Sequence, residues 1–178
     1  MGERLDEVDQ RLMRLTREQA LLLNALSMND HLIIEGGAGT GKTILAMEYA
    51  KGECERGRKV LYLTYNKNLA RNIITRMGKG CSGEIKIINL HALFGEYVPV
   101  DLEAMKQDPN QYFTQDLPED TLSYLEGLSA DELQALQYDD LILDEGQDIL
   151  KPEYLLTPVS SFILTVEIRL RSGDLMLK

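Results

Sequence analysis

Short apolar runs alternate with longer amphipathic stretches along this chain of 178 residues. The apolar runs predict β-strands at residues 31–35, 60–64, 84–89 and 141–144. The stretches with helical periodicity predict α-helices at about residues 3–14, 42–57 and 69–77. Strands that are apolar along their whole length are typical of a parallel sheet buried between two layers of helices. The predicted fold class is therefore α/β, with a mostly parallel sheet covered by helices on both faces.

Two further patterns predict helix starts and one unusual strand. Thr16–Gln19 and Ser129–Glu132 both have the S/T-x-x-E/Q form of a capping box. Apolar and polar residues alternate strictly in the segment 165–171. Strict alternation suits a strand with one face in water, so we expect either an edge strand or a poorly packed tail there.

A glycine-rich sequence joins the first predicted strand to the helix that follows it. Residues 36–43 fit the pattern G-x-x-x-x-G-K-[ST] at every position, in the strand–loop–helix context that this motif requires. Glycines let backbone N–H groups surround phosphate oxygens, and Lys42 would supply a charge between the β- and γ-phosphates while Thr43 holds Mg²⁺. The predicted nucleotide-binding residues are Gly36, Gly37, Ala38, Gly39, Thr40, Gly41, Lys42 and Thr43. The alternative is a glycine-rich turn with an exposed lysine.

Acidic residues follow the last of these apolar strands. Asp144 and Glu145 come directly after the run 141–143, and Gln147 and Asp148 follow. Ligands bind at the carboxyl ends of strands in open α/β sheets, so Asp144 is a candidate second metal ligand beside Thr43. Glu145 is then placed to orient or deprotonate the water that attacks the γ-phosphate. A solvated acidic turn after a core strand is the alternative interpretation.

The composition is that of a folded protein. With 44% hydrophobic residues, 27% charged residues and five prolines, collagen-like and low-complexity classes are excluded. No segment has the roughly 18 consecutive apolar residues of a membrane helix, and the N-terminal residues are too polar for a signal peptide. We therefore expect a cytoplasmic protein. Cys54 and Cys81 have no zinc-ligand spacing to another Cys or His, so we expect reduced thiols.

The net charge of −10 is concentrated in one segment. Residues 101–140 contain eleven acidic residues and one base, Lys106, so the rest of the chain is neutral overall. This distribution argues against coating of nucleic acid by bulk electrostatics. A local groove that contacts phosphates is still compatible with the sequence outside the acidic segment.

The phosphate loop and the residues 144–148 together resemble the first RecA-like domain of superfamily 1 helicases of the UvrD/Rep type, whose second motif is similar to D-E-x-Q-D. The resemblance implies ATP and Mg²⁺ as cofactors, catalytic roles for Lys42, Glu145 and Gln147, and γ-phosphate sensing by Gln147. It also implies adenine recognition by Gln19, although Gln19 is equally the partner of Thr16 in a capping box.

Two more motifs of this family have counterparts in the same order along the chain. Residues 64–67 are similar to the motif that contacts single-stranded DNA, which implies nucleic-acid contacts for Tyr65, Asn66 and Lys67. Residues 89–91 resemble a T-x-H motif, with Asn in place of Thr, and this adds His91 to the predicted DNA contacts. The alternative for His91 is a local hydrogen bond.

The sequence also departs from the family pattern. The stretch between His91 and Asp144 is short and acidic where the family usually carries a larger subdomain, and Leu177 replaces the glutamine of a G-D-x-x-Q motif. We expect an N-terminal helix at 1–15 and one RecA-like domain at 16–178, with an acidic insertion at about 98–138 and an atypical C-terminal segment at about 155–178. The second RecA-like domain of such a motor would have to come from a partner or from a longer chain.

Three hypotheses for function follow. The leading one is the ATP-binding domain of a UvrD-like helicase, truncated or part of a longer chain, which binds Mg-ATP and single-stranded DNA and has weak or no ATPase activity alone. The second is a nucleotide-dependent protein-interaction module without a nucleic-acid role, in which ATP orders the acidic segment. The third is an unstable fragment whose sequence changes frame after about Tyr154.

Overall fold

The computed structural model describes residues 33–37, 39–78 and 80–149, together with Leu21. This part of the chain has a parallel sheet of three strands in the order β2-β1-β3. Their bounds are β1 (Lys59–Thr64), β2 (Glu84–Asn89) and β3 (Asp140–Asp144). Tyr62 in β1 pairs with Ile87 on one side and with Ile142 on the other. The predicted α/β class with a parallel sheet is confirmed, and each of the three strands begins within one residue of its predicted position.

Helices connect the strands. In chain order they are α1 (Lys42–Glu55), α2 (Lys67–Met77), α3 (Leu90–Tyr97), α4 (Leu102–Gln107), α5 (Pro109–Gln111), a π-helical turn (Tyr112–Asp116), α6 (Leu117–Glu126), α7 (Ala130–Ala135) and α8 (Gly146–Ile149). The predicted helices at 42–57 and 69–77 are confirmed as α1 and α2. The capping box at Ser129 is also confirmed, because its hydroxyl and the Glu132 carboxylate each bond the other residue's backbone N–H.

The central strand β1 separates two hydrophobic clusters. Successive side chains of a strand point to opposite faces of the sheet. Accordingly Val60 and Tyr62 pack with Met47 of α1 and Ile73 of α2, all of them buried. On the other face the alternate residues of β1 pack against buried residues of α3, the π-helical turn and α6: Leu61, Leu63, Leu90, Leu93, Phe94, Tyr112, Leu117 and Leu125. Helices therefore cover both faces, as predicted.

Asparagine side chains begin the helices that follow β1 and β2. Asn66 accepts hydrogen bonds from the N–H groups of Asn68 and Leu69 at the start of α2. Asn89 accepts one from Ala92 at the start of α3. Such N-caps stabilise a helix by about 1 kcal/mol each because they satisfy N–H groups without an intrahelical acceptor. The strand–helix junctions are therefore set locally by the sequence.

The acidic insertion is part of the core. Tyr112, Leu117 and Leu125 lie in the larger hydrophobic cluster, and the Tyr112 hydroxyl accepts a hydrogen bond of 2.9 Å from the Asp101 N–H. Most of its carboxylates lie on the outer surface, where the exposed acidic residues are Asp101, Glu103, Asp108, Glu119, Asp120, Glu126, Asp131 and Glu132. The insertion therefore buries an apolar side and exposes an acidic one.

An ionic network lies where β1 and β3 begin. The Arg58 Nε is 2.6 Å from the Asp140 Oδ2, and it is 3.2 Å from the Glu53 Oε2. The Tyr49 hydroxyl donates a 3.2 Å hydrogen bond to the Asp140 Oδ1. Burial, followed by the charge of Asp140, raises the pKa of Tyr49 to about 12. These contacts fasten the C-terminal half of α1 to the first residue of β3.

Two sequence predictions are wrong in the structure. Cys54 and Cys81 form a disulfide, with their Cα atoms 5.6 Å apart, because the fold brings the end of α1 beside the segment that precedes β2. The predicted first strand is not formed in its described part, since residues 33–35 belong to no strand and the Ile33 side chain is 87% exposed. An apolar run becomes a strand only where its backbone groups pair with a neighbouring strand.

Other predictions fall outside the described residues. These are the helix at 3–14, the capping box at Thr16, and the alternating segment 165–171. Within the described residues, no helix has the length and apolar character needed to cross a membrane.

Candidate functional site

The glycine-rich loop precedes α1, a helix of 14 residues. Gly39 has a φ of 77° and Gly41, the residue before the helix, has a φ of 86°. This left-handed region is favourable for glycine and strained for other residues, which explains the glycine at both positions. Gly41 has no side chain to cap the helix, so the N–H groups of the first turn of α1 are directed to the loop side without a side-chain acceptor.

Lys42 and Thr40 hold the loop in a closed turn. The Lys42 Nζ donates to the carbonyl oxygens of Gly36 at 2.8 Å and Gly37 at 3.0 Å. The Thr40 Oγ1 donates to the same Gly37 carbonyl at 2.9 Å. A Cβ atom at Gly36 would lie 3.0 Å from the Thr40 Oγ1, closer than ordinary contact. The lysine ammonium is therefore positioned over the loop, where a phosphate bound by the loop N–H groups would meet it.

Asp144 is the last residue of β3 and is only 6% exposed. Its Oδ2 accepts a 2.7 Å hydrogen bond from the Tyr62 hydroxyl, and its Oδ1 accepts a 3.0 Å bond from the Glu145 N–H. Burial, and then the charge of Asp144, raises the pKa of Tyr62 far above its usual value, so the phenol stays a hydrogen-bond donor. Each oxygen of the Asp144 carboxylate thus accepts one hydrogen bond.

Glu145 has an unusual backbone conformation. Its φ of 56° lies in the left-handed region, and it is the non-glycine residue with a positive φ in the described part of the chain. Such a conformation costs on the order of 1–3 kcal/mol in a non-glycine residue and is concentrated at functional sites. The Glu145 carbonyl accepts a 2.9 Å bond from the Asp148 N–H in the first turn of α8. The chain thus turns directly after Asp144 and enters α8.

The phosphate loop and Asp144 lie at the same end of the sheet. Tyr49 of α1 contacts Asp140 at the start of β3. From there α1 extends back to Lys42 over about 10 Å, and β3 runs to Asp144 over about 13 Å, by the rise per residue of helix and strand. Because the helix runs antiparallel to the strand it packs on, Lys42 and Asp144 reach similar heights at the carboxyl ends of the strands. This is where open α/β sheets bind their ligands.

The donor atoms at this end fit a magnesium ion. Thr43 offers a hydroxyl and Asp144 a carboxylate, and Mg²⁺ prefers such hard oxygen ligands. Mg²⁺ is usually bound by one or two side chains together with phosphate oxygens and water. The two side chains therefore match the protein's share of a Mg–nucleotide site.

The four predicted nucleic-acid residues differ in what their side chains contact. The Tyr65 ring meets the His91 ring edge-on with centroids 5.3 Å apart, and the His91 ring lies 4.8 Å from that of Phe113 in the acidic insertion. Burial lowers the pKa of His91, so its imidazole is neutral at pH 7. Lys67 is exposed. Asn66, in contrast, uses its side-chain oxygen to cap α2.

Three predicted site residues cannot be placed and two contacts were missed. Gln19, Ala38 and the Gln147 side chain lie outside the described part of the structure. Sequence reasoning missed Tyr62 and Phe113 as neighbours of the predicted residues. A tyrosine inside an otherwise apolar strand was the available signal for Tyr62, because a buried phenol needs a hydrogen-bond partner.

Comparison with known proteins adds one match. A family model described as DEAD/DEAH box helicase matches residues 16–155, which include both the phosphate loop and the acidic residues after β3. A search of curated proteins and a search of solved structures found no match. The family match supports a helicase domain with the RecA-like P-loop fold and does not single out the UvrD/Rep type. Since the matched range covers well over half of the sequence, the chain belongs to the DEAD/DEAH box helicase family.

Proposed function

We propose that this domain binds Mg-ATP at the Gly36–Thr43 loop and acts as the ATP-binding part of a UvrD-like superfamily 1 helicase. The observation that carries the proposal is the placement of two elements at one end of the sheet. The loop at the start of α1 and the buried Asp144 at the end of β3 lie at similar heights along packed elements. The family match supports ATP use by a helicase domain, and residues 144–148 support the finer type.

Each side chain has a distinct task in this proposal. Lys42 leaves the carbonyls of the loop to neutralise the β- and γ-phosphates, and the loop N–H groups hold the phosphate oxygens. Thr43 and Asp144 would hold Mg²⁺, which would neutralise charge on the phosphates. Glu145 orients or deprotonates the attacking water. Gln147 senses the γ-phosphate, and Gln19 contacts the adenine.

Hydrolysis by this domain alone is expected to be weak. An arginine that stabilises the transferring phosphoryl group is typically worth ~10³–10⁵ in rate. In the helicases that this chain resembles, that arginine comes from a second RecA-like domain. We therefore propose that full ATPase activity needs such a domain as a partner. Nucleotide binding depends on that partner less than hydrolysis does.

The proposed contact with single-stranded DNA uses the aromatic group formed by Tyr65, His91 and Phe113. Aromatic rings at a strand's carboxyl end provide faces for base stacking, and the exposed Lys67 provides a phosphate contact. Because His91 is neutral, it contributes ring surface and not charge. Asn66 contributes mainly by starting α2 beside this surface.

A titration with a fluorescent ATP analogue in Mg²⁺ tests nucleotide binding. Lys42→Ala is expected to weaken binding at least tenfold, because it removes the phosphate charge. Lys51→Ala is the matched control, since Lys51 lies on the same helix and pairs with Glu48 on the surface at 3.2 Å. Equal affinity in wild type and Lys42→Ala would contradict the proposed site.

The second candidate is a protein-interaction module without a nucleic-acid role. The exposed carboxylates of the acidic insertion favour it, because they form a surface that repels phosphates. Binding of a labelled oligothymidine at several salt concentrations distinguishes the two. We expect affinity that falls with salt and a shallower salt dependence in Lys67→Ala. Absence of DNA binding at low salt would favour the interaction module.

A further inference from the structure

We propose that Tyr62, which lies in neither sequence motif, is a positioning residue that orients the Asp144 carboxylate for Mg²⁺ in the nucleotide site. This inference rests on the proposed function and deepens it. The contact that carries it is the 2.7 Å hydrogen bond from the Tyr62 hydroxyl to the Asp144 Oδ2. It joins the middle of β1 to the last residue of β3.

The side chain of Tyr62 is buried among apolar residues. The residue is 0% exposed and packs with Met47, Ala50 and Ile73, an apolar group in which phenylalanine would fit equally well. A buried hydroxyl without a partner is unfavourable, so a tyrosine at this position is consistent only with a nearby acceptor. The acceptor is the carboxylate proposed to bind the metal ion.

The two hydrogen bonds on Asp144 fix how the carboxylate is turned. Tyr62 holds Oδ2, and the Glu145 N–H holds Oδ1. An ionised carboxylate has about four lone-pair sites, so each oxygen keeps capacity for a cation after accepting one hydrogen bond. The carboxylate is therefore held in one orientation before any ion arrives.

The expected loss of Mg²⁺ affinity is taken from the effect of comparable residues in other metal sites. Removing a group that holds a metal ligand typically costs 10–100-fold in metal affinity or activity. Here one of two orienting hydrogen bonds would be lost, and the Glu145 N–H would remain. We therefore expect an effect near the lower limit, about tenfold.

The test is the Mg²⁺ dependence of nucleotide binding in Tyr62→Phe. The affinity of a fluorescent ATP analogue is measured across Mg²⁺ concentrations and in EDTA. The Mg²⁺ concentration for half-maximal binding is expected to rise about tenfold, with the affinity in EDTA unchanged. A purely structural role for the hydroxyl would change both.

Tyr49→Phe is the matched control. It also removes a phenol hydroxyl that bonds a β3 carboxylate, but that carboxylate is Asp140 at the other end of the strand. Its Mg²⁺ dependence is expected to equal that of the wild type. Thermal unfolding of both variants reports any loss of stability.

A double variant checks the pairing. Because Tyr62 acts through Asp144, adding Tyr62→Phe to Asp144→Asn should change nothing further. An independent effect of Tyr62→Phe in that background would overturn the inference. It would also be overturned by an unchanged Mg²⁺ dependence in Tyr62→Phe, or by unfolding of Tyr62→Phe while Asp144→Asn folds. If neither wild type nor Tyr49→Phe binds nucleotide at any Mg²⁺ concentration, the proposed function is itself wrong, and the inference about Tyr62 loses its basis.

Discussion

Breaking the Cys54–Cys81 disulfide is expected to destabilise the domain without affecting the nucleotide site. The two cysteines are 27 residues apart in sequence, and the enclosed segment contains all of β1 and α2. In the chain-entropy description, a cross-link that closes a loop of this length stabilises the folded state by about 3.5 kcal/mol. For a domain of this size that corresponds to a melting temperature about 7–14 °C lower after reduction.

The assay compares thermal unfolding with and without a reducing agent. The wild type is expected to melt lower when reduced, whereas Cys54→Ala/Cys81→Ala is expected to be insensitive to the reductant. Counting free thiols before the scan establishes the starting state. Two reactive thiols in protein unfolded under non-reducing conditions, or equal melting temperatures with and without reductant, would refute the reasoning.

Nucleotide affinity provides the second part of this test. Cys54 lies about 18 Å along α1 from Lys42, by the helical rise per residue. The same end of α1 is held independently of the disulfide by the Tyr49–Asp140 contact and by Arg58, which pairs with both Glu53 and Asp140. We therefore expect the affinity for the ATP analogue to stay within twofold in the double variant at a temperature where it is folded.

Two further predictions concern Glu145 and His91. Glu145→Gly should relieve the strain at φ 56° and raise the free energy of unfolding, measured in urea, by up to about 1 kcal/mol. Glu145→Ala should not raise it, and equal free energies of unfolding in the two variants would argue against strain. Burial lowers the pKa of His91, so the unfolded chain takes up the proton more readily and stability is lost as the pH falls below about 6.5. Melting temperatures at pH 7.5 and 5.5 should differ more in the wild type than in His91→Phe, and equal differences would contradict this assignment.

Elements encoded by local patterns could be predicted from the sequence. The helix α1 and the strands β1, β2 and β3 appear as continuous apolar or periodic segments, and the capping box at Ser129 depends on residues three positions apart. The phosphate loop is also local, because its glycines, lysine and threonine are adjacent in sequence. These features need no knowledge of long-range contacts.

Contacts between distant segments could not be predicted in this way. The Tyr62–Asp144 hydrogen bond spans 82 residues, and the Cys54–Cys81 pair spans 27. Both depend on which strands are neighbours and on their register. The strand predicted at 31–35 is not formed at the described residues 33–35 for a related reason, since an apolar run does not reveal whether a partner strand lies beside it.

The two ends of β3 are fastened to the rest of the domain in the same way. At its start, Asp140 is held by Arg58 and by the Tyr49 hydroxyl of α1, the helix that carries the phosphate loop. At its end, Asp144 is held by the Tyr62 hydroxyl of β1. The contacts at Asp140 stabilise the packing of α1 on β3, whereas the contact with Tyr62 acts on the Asp144 carboxylate itself. A metal ion shared by Thr43 and Asp144 would therefore meet a carboxylate that the central strand already holds in one orientation.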